Sequence, residues 1–527
     1  MVMASFSLRE DYWETFNLQD EDIEFLYNHL LELETPLTPS ELADALVKER
    51  IRREMQALER QRSSAGDTYF PKESYTLNQK LVFPAMGWRK GEVVDLRPGR
   101  NPDLPPFKVI QVRLEGGEQR EFASELRDHS LNNPPQVLRE DELLDTQSVL
   151  MEYGDDIAVR LEEGLRANHD FVRIAGRWFP RALLVDVNQG HLNLAEAFLD
   201  MAGGGPVSTP ALLEQVELPS NANSKLVEFS LDLAMEEDPR FDEVGPAGQV
   251  LWYLKRLEPE EVRETPLFLR YHEVDHDRSF MTKEMLTLER DLDDELSPIE
   301  GKPAREEEVV VRLIFPHWRV GALPLSSRLS QLFPTAYEAP RIRFMLVDRD
   351  TGEQFPGWVV REKHYVIGLR KWYQKQSLMP GSLVHVRRGK KPGEVIVRAE
   401  SRRGNREWIR TVLVGSDGGT VFAMLKQVVS AAYDERMAIA VPDVEAMDNV
   451  WVRMQKERPP FERVIVNMVR ELAKLNPQSH VHASELYAAV NVVRRCPPGP
   501  LLALLASRAW FVHVGDLHFR FDDSEHV

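Results

Sequence analysis

The chain is poor in cysteine, the residue that stabilises folds through disulfides and many metal centres. Among its 527 residues there is one cysteine, Cys496, which excludes an intrachain disulfide and a cysteine-ligated zinc or iron–sulfur centre. There is also no run of about 18 apolar residues, and the N-terminal stretch becomes acidic before an apolar run of signal length. We therefore expect no membrane span, no export signal and a cytoplasmic location.

Catalytic signatures are scarce as well. The sequence has no Gly-rich phosphate loop followed by Lys and no G-x-S-x-G nucleophile elbow, and Cys496 stands between Arg495 and Pro497 without an evident His partner. We predict that the protein is not an enzyme and that it needs no cofactor.

One string of residues argues against that prediction. His272, Glu273 and His276 form H-E-x-x-H, the zinc-peptidase signature, whose two histidines must lie on one face of a helix. Glu289 or Glu295 could serve as a third ligand. Because the surroundings are polar and no glycine turn with a third histidine follows, a zinc metallopeptidase is the remote alternative.

Acidic residues dominate the composition, with 85 Asp and Glu against 66 Lys and Arg and a formal net charge of −19. That average argues against a protein that coats nucleic acid with its whole surface. The charge is unevenly distributed, because residues 341–410 contain 17 Lys or Arg and 7 Asp or Glu, a local charge of +10 that leaves −29 elsewhere. The sequence thus predicts one cationic module inside an acidic protein.

The N-terminal residues predict a helix-turn-helix region. Apolar residues recur every three or four positions in the segment 20–62, which indicates two or three helices. The break between them contains Thr38 and Ser40, either of which can cap the second helix, and Glu41 follows Thr38 by three residues.

A small SH3-like β-barrel is predicted next. Residues from Tyr75 to Leu126 alternate apolar and polar side chains around Gly and Pro turns. The polar, Pro- and Asn-rich segment 126–141 that follows indicates a domain boundary.

A weak repeat begins at Asp170, Arg240 and Trp510. In each copy an aromatic residue precedes a β-branched residue by three positions and a glycine follows, which predicts a β-hairpin, and helical stretches precede each copy. Helices followed by such a hairpin are typical of winged helices.

The third copy resembles the winged helix-turn-helix domains of the RNA polymerase delta subunit and its chromatin-associated relatives. The helices near the first two copies are acidic and would repel phosphate, so these modules are predicted to bind proteins. In the third copy, five basic residues could face a phosphate backbone: Arg494, Arg495, Arg508, His513 and Arg520.

The segment from Val309 to Arg398 predicts a strand, a loop, a strand, a short helix, three strands, a helix and two strands. In this order and in its local motifs it resembles the plant DNA-binding pseudobarrel of auxin-response and abscisic-acid-response factors, which also occurs in recognition domains of some restriction endonucleases. The residues that carry the resemblance are Leu323, Pro324, Leu325, Leu332, Phe333, Pro334, Asp350, Thr351, Gly352, Trp358, Tyr365, Val366, Ile367, Leu378, Gly381, Ser382 and Val384. Gly368-Leu369 replaces the family's usual Gly-Trp, and Trp372 comes later. The resemblance implies a seven-stranded pseudobarrel.

Two loops and one turn of this module supply candidate DNA contacts. In the family that it resembles, the two arms that correspond to these loops grip the major groove. Separately, a turn rich in basic residues is suited to contact phosphate. The candidates are His317, Trp318 and Arg319 in the first loop, Arg361, Lys363 and His364 in the second, and Arg387, Arg388, Lys390 and Lys391 in the turn. For Trp318 and Trp358 a place in the barrel core is the alternative.

The predicted fold class is therefore α+β and multidomain, with winged-helix modules, a small N-terminal β-barrel and a central seven-stranded pseudobarrel. The predicted domains are a helix-turn-helix region (1–65), the small barrel (75–127), winged-helix repeats (140–260), an acidic helical connector (261–305), the DNA-binding pseudobarrel (306–412) and a C-terminal winged helix (420–527).

The leading hypothesis for function is a transcription-regulatory or nucleoid-associated protein whose partner is double-stranded DNA. The alternative is a protein-interaction factor that docks on RNA polymerase or another protein without binding DNA directly.

Overall fold

The computed structural model describes residues 11–63, 67–83, 86, 89–101, 104–132, 145–218, 221–298, 304–391, 393–416 and 418–524. The chain divides into two compact units. Unit 1 comprises Met1–Val185 and Ala222–Leu226, and unit 2 comprises Asp186–Asn221 and Val227–Val527. Residues 133–144, which include much of the predicted boundary segment, lie outside the described ranges. No helix in the described ranges is long and apolar enough to cross a membrane.

Unit 1 begins with two helices that are separated at the predicted break. The Thr38 hydroxyl accepts a hydrogen bond from the Glu41 amide at 3.3 Å, and the Glu41 carboxylate accepts one from the Thr38 amide at 2.8 Å. The predicted capping interaction is therefore confirmed, with Thr38 as the capping residue. The helices of unit 1 are α1 (Asp20–Leu33), α2 (Pro39–Ser63) and α3 (Thr146–Arg166).

A five-stranded sheet lies between α2 and α3 in the sequence. Its strands are β1 (Asp67–Thr68), β2 (Lys80–Phe83), β3 (Arg89–Pro98), β4 (Lys108–Leu114) and β5 (Gln119–Ser124). They pair in sequence order around a core that contains Tyr69, Phe83, Val93 and Ile110. No ladder joins β1 to β5 in the described residues, but the Glu125 and Leu126 amides donate to the Glu73 and Pro71 carbonyls, so the two edges of the sheet meet and the assignment as an SH3-like barrel stays a prediction.

The first repeat hairpin packs with the N-terminal helices. Its strands are β6 (Phe171–Ile174) and β7 (Arg177–Pro180). Ala175 and Gly176 form the turn, with positive φ angles of 48° and 74°, as a tight type I′ hairpin requires. Because Leu37 forms a β-bridge with Trp178 of β7, the predicted division between 1–65 and 140–260 separates parts of one module.

Unit 2 opens with a second module of helices and short strands. Leu199, Leu231 and Trp252 are fully buried in it, and the Trp252 indole N–H donates to Asp232 at 2.9 Å. The strands pair in the order β8-β10-β9. The elements are α4 (Gln189–Met201), β8 (Val207–Ser208), α5 (Thr209–Leu213), α6 (Ser224–Glu236), β9 (Phe241–Glu243) and β10 (Leu251–Leu254), and the first three residues of α6 belong to unit 1.

The predicted acidic connector is less helical than expected. It contains α7 (Glu260–Arg263) and α8 (Lys283–Leu292), with 3₁₀ turns and irregular chain between them. Met281 and Met285 pack into the hydrophobic core of the C-terminal module, so this segment is part of a folded body.

Seven strands form a nearly closed sheet with the order β11-β16-β17-β13-β14-β15-β12. Along β13, Ile342, Phe344 and Leu346 alternate into the core, as the period of two for a strand predicts. The predicted succession of seven strands along the chain is confirmed, but a short helix stands where a loop was predicted after the first strand. The elements are β11 (Glu308–Arg312), α9 (Phe315–Val320), β12 (Ala322–Pro324), β13 (Arg341–Asp348), β14 (Gln354–Val360), β15 (Tyr365–Ile367), α10 (Arg370–Lys375), β16 (Leu383–Arg388) and β17 (Glu394–Ala399).

A long two-stranded ribbon joins this sheet to the C-terminal module. It consists of β18 (Ser401–Val414) and β19 (Thr420–Ala431), so the boundary predicted between 412 and 420 cuts through it. The C-terminal strands pair in the order β20-β22-β21. The remaining elements are α11 (Val444–Glu457), α12 (Phe461–Ala473), β20 (Val481–His482), α13 (Ala483–Val493), α14 (Pro498–Ser507), β21 (Phe511–Gly515) and β22 (His518–Phe521).

The same order of elements occurs three times: a helix, a short strand or bridge, two helices and a hairpin. The three predicted hairpins are confirmed in the described residues. The assignment of these modules as winged helices stays a prediction.

Candidate nucleic-acid interface

The first candidate loop is a packed helix. His317 is 2% exposed, and its Nε2 lies 3.0 Å from a carboxylate oxygen of Glu295. The Trp318 indole N–H donates to the Leu378 carbonyl at 2.7 Å. The loop predicted to carry His317, Trp318 and Arg319 is therefore wrong, because these residues lie on a helix in which His317 and Trp318 contact other parts of the protein.

Arg319 is also engaged by the protein. Its guanidinium donates to both carboxylate oxygens of Asp448, at 2.9 and 2.6 Å, and stacks over Phe268. Such a bidentate pair occupies the donors that a phosphate group would need.

Two residues explain why a helix forms at this place. Pro316 lies in the first turn, where its missing N–H costs nothing, and Gly321 ends the helix with a φ of 79°. A Cβ atom at Gly321 would lie 2.3 Å from the Arg370 amide nitrogen, so only glycine fits. The pattern of Pro at the start and Gly after the end was the signal that the loop assignment missed.

α9 lies over a buried polar network. The Arg495 side chain, which is 0% exposed, donates to Asp294 at 2.7 Å and to Glu295 at 2.8 Å. The Tyr487 hydroxyl donates to Asp294 at 2.6 Å. Burial opposes ionisation of Glu295, but the charges of Arg495 and then His317 hold its pKa well below the usual range.

This network corrects a second expectation. Arg495, one of the five basic residues expected to face a phosphate backbone, is in the core. Arg494 donates to the Pro459 carbonyl at 3.3 Å, and Arg508 pairs with Glu462 at 3.3 Å. Arg495 therefore stabilises packing between α13 and the segment after α8.

The H-E-x-x-H string does not lie on a helix. His272 to His276 form irregular chain between two 3₁₀ turns. His272 contacts Gln455 at 2.7 Å, and His276 contacts the Val274 carbonyl at 2.9 Å. The helix that the zinc-peptidase alternative needs is missing from this segment, and no metal-holding group of three or more His, Cys, Asp or Glu occurs among the described residues.

Strand register brings the other two candidate segments to one end of the seven-stranded sheet. Arg341 of β13 pairs with Val360, just before the turn at 361–364. Met345, four residues further along β13, pairs with Glu394, just after the basic turn. Because β13 and β17 are parallel, the basic turn lies on the N-terminal side of Met345, in the middle of β13, and the turn at 361–364 lies beyond Arg341, so both turns are toward the N-terminal end of β13. We call this end, Arg361–His364 together with Arg387–Lys391, the turn end.

The candidate residues at the turn end differ in how many ion pairs and hydrogen bonds they form within the protein. Lys363, His364 and Lys390 are exposed and form no ion pair within the described part of the chain. Lys391 lies 3.6 Å from Glu394, a weak exposed contact. Arg361 donates to the Ala339 carbonyl at 2.8 Å, Arg388 donates to the Gln331 carbonyl at 3.0 Å, and Arg387 is half-buried.

The second module covers one side of the sheet beside the turn end. Trp358 is buried and packs edge-on against Tyr253, with ring centroids 5.2 Å apart. The alternative of a core position is therefore confirmed for Trp358. On the same side, Arg341 pairs with Asp242 at 2.6 Å and lies 3.6 Å from Glu258.

The structure also exposes basic residues that were not among the candidates. Arg402, Arg403 and Arg406 begin the ribbon, and Trp408 follows them with 61% of its surface exposed. These arginines contributed to the local charge of +10. The turn G-S-D-G-G between two apolar runs was the signal for a hairpin here.

Comparison with family models, curated proteins and solved structures finds no match to this chain.

Proposed function

We propose that the protein binds duplex DNA through the turn end of its seven-stranded sheet and acts as a transcription-regulatory or nucleoid-associated factor without catalysis of its own. The observation that carries the proposal is that the register places Lys363, Lys390 and Lys391 at one end of one sheet. Exposed lysines that are free or weakly paired can exchange water and counterions for phosphate at little cost to the fold.

The distribution of charge supports the same proposal. The acidic remainder of the chain disfavours non-specific adhesion to DNA over the whole surface, while the basic segment offers a limited contact. The order of elements in the three helix-and-hairpin modules is compatible with winged helices, which fits a regulatory factor. The acidic helices of the first two modules favour protein contacts over phosphate.

The test is duplex binding by the full chain across a range of salt concentrations, measured by fluorescence anisotropy. For the triple variant Lys363→Ala/Lys390→Ala/Lys391→Ala we expect weaker binding. The slope of log K against log salt should become shallower by up to about 2.7, because each lost phosphate contact removes about 0.9.

A matched control removes three exposed cations elsewhere in unit 2, by Arg263→Ala/Lys283→Ala/Lys456→Ala. This control should leave the slope near that of the wild type. No duplex binding at low salt, or equal slopes for both triple variants, would overturn the proposal. The protein-interaction hypothesis would then replace it.

A further inference from the structure

The ribbon of β18 and β19 contains an irregularity at its exposed end. Ser401 pairs with Ala431, and Asn405 pairs with Val429, so Arg402, Arg403 and Gly404 lie opposite the single residue Ser430. A bulge of this kind bends the strand and re-aims its side chains, and bulges are frequent at functional sites. Here it places two consecutive arginines in solvent.

Three arginines at this end have no side-chain partner among the described residues. The side chains of Arg402, Arg403 and Arg406 are exposed and form no ion pair or hydrogen bond with any residue that the structure describes. The nearby Glu407 is hydrogen-bonded by the Tyr433 hydroxyl, and Glu400 lies 3.3 Å from His385. The three arginine side chains are therefore available to bind an anion from outside the protein.

An aromatic surface lies directly beside these cations. Trp408 pairs with Lys426 across the ribbon, and the Lys426 ammonium group lies 5.3 Å from the centroid of the indole ring. Val428, which is opposite Arg406, is 66% exposed. One exposed apolar side chain is ordinary, but a neighbouring pair within a ring of four cations indicates a binding surface.

We propose that the bulged end of the ribbon, formed by Arg402, Arg403, Arg406, Trp408 and Lys426, binds single-stranded nucleic acid. The arginines contact successive phosphates, and a base stacks on the Trp408 indole. Cations that follow the backbone beside an aromatic platform are the combination that single-strand-binding surfaces use.

The chemistry of the patch favours this occupant over two others. A base can stack on an indole only when it is unpaired, so duplex DNA would leave Trp408 without a partner. A second copy of the chain would bring four cations against four cations in a symmetric contact, which is repulsive. The surface therefore fits an unpaired strand.

This inference does not depend on duplex binding at the turn end. The ribbon starts after the C-terminal end of β17, whereas the basic turn precedes the N-terminal end of that strand. The two surfaces can thus be changed separately, and failure at one leaves the other testable.

The experiment measures binding of the full chain to three fluorescein-labelled probes of equal length: oligo-dT, oligo-rU and a mixed-sequence duplex. For Arg402→Ala/Arg403→Ala/Arg406→Ala we expect at least about tenfold weaker binding to a single strand, with a salt slope shallower by about 2. The control is again Arg263→Ala/Lys283→Ala/Lys456→Ala. The oligo-dT and oligo-rU arms show whether DNA or RNA is preferred.

Stacking is tested by a pair of substitutions at Trp408. Trp408→Ala should weaken binding to a single strand about 5- to 150-fold, because base stacking on an aromatic side chain is worth that factor, whereas Trp408→Phe should restore most of it. Circular dichroism checks that both variants fold.

Four results would overturn the proposal. These are no binding of either single strand at low salt, equal affinity of the arginine triple variant and its control, equal affinity of Trp408→Ala and the wild type, or duplex affinity that falls as much as single-strand affinity in both ribbon variants. Concentration-dependent self-association that Trp408→Ala abolishes would assign the patch to a second copy instead.

Discussion

The helix α9 and the ribbon end have similar side chains and opposite environments. α9 contains His317, Trp318 and Arg319, and the ribbon contains Arg406 and Trp408. In α9 each of the three side chains contacts a residue brought in by tertiary structure. The side chain of the ribbon arginine has no ion pair or hydrogen bond in the described part of the chain, and the ribbon tryptophan is exposed. Local basic and aromatic character therefore does not identify a nucleic-acid contact until the partners of those residues are known.

The largest expected loss of stability follows from a substitution in the buried network beneath α9. Arg495→Ala should destabilise unit 2 by about 3–5 kcal/mol, because it leaves the buried carboxylates of Asp294 and Glu295 without their cation. Chemical denaturation of the full chain followed by circular dichroism measures the loss.

The neighbouring Arg494→Ala is the control for that measurement. Arg494 is only partly buried, and we expect its loss to cost less than about 1 kcal/mol. Equal destabilisation by the two substitutions would show that the buried network does not stabilise the fold as described.

A pair of tryptophan substitutions comes next in size. Trp318→Ala should cost about 3 kcal/mol, since it removes packing between two hydrophobic cores and the hydrogen bond to the Leu378 carbonyl. Trp408→Ala should change stability by less than about 0.5 kcal/mol, because the side chain is largely exposed.

Thermal unfolding of both variants under one set of conditions measures this contrast. Similar losses of stability at the two positions would break the comparison, because Trp408 would then belong to a packed core.

The stability of unit 2 should also depend on pH. Burial raises the pKa of Glu243 to about 8, and burial with the nearby Asp242 raises the pKa of Glu258 to about 8. Because these values lie above those of an unfolded glutamate, the stability they contribute is present below about pH 4.5 and is lost as the pH rises through about 8.

Denaturation midpoints of unit 2 should therefore decrease between about pH 5 and about pH 9, and Glu243→Gln should flatten that decrease. Arginine stays protonated over this range, so single-strand binding by the ribbon should vary less than stability does. A pH profile of stability that Glu243→Gln leaves unchanged would contradict the assignment.

The sequence was most informative where the signals are local. The Thr38–Glu41 cap and the three hairpins depend on residues a few positions apart, and the succession of seven strands along residues 309–398 follows from the alternating pattern. Local patterns could not predict partners that are far apart in the sequence. Arg319 pairs with Asp448, 129 residues later, and Leu37 pairs with Trp178 across an inserted five-stranded sheet.

The candidate site was predictable only in part for the same reason. The density of arginine and lysine in residues 341–410 was visible, but the strand register decides that 361–364 and 387–391 share an end while α9 does not. The free arginines of the ribbon went unnoticed because the predicted domain boundary separated its two strands.

The most direct measurement is to locate bound nucleic acid on the chain. The full chain would be photocrosslinked to a 5-iodouracil-substituted single strand and to a duplex carrying the same label, and the modified peptides would be identified by mass spectrometry. We predict crosslinks within 401–408 for the single strand and within 361–364 or 387–391 for the duplex. Crosslinks confined to the acidic helices of the first two modules, or none with either probe, would contradict the account.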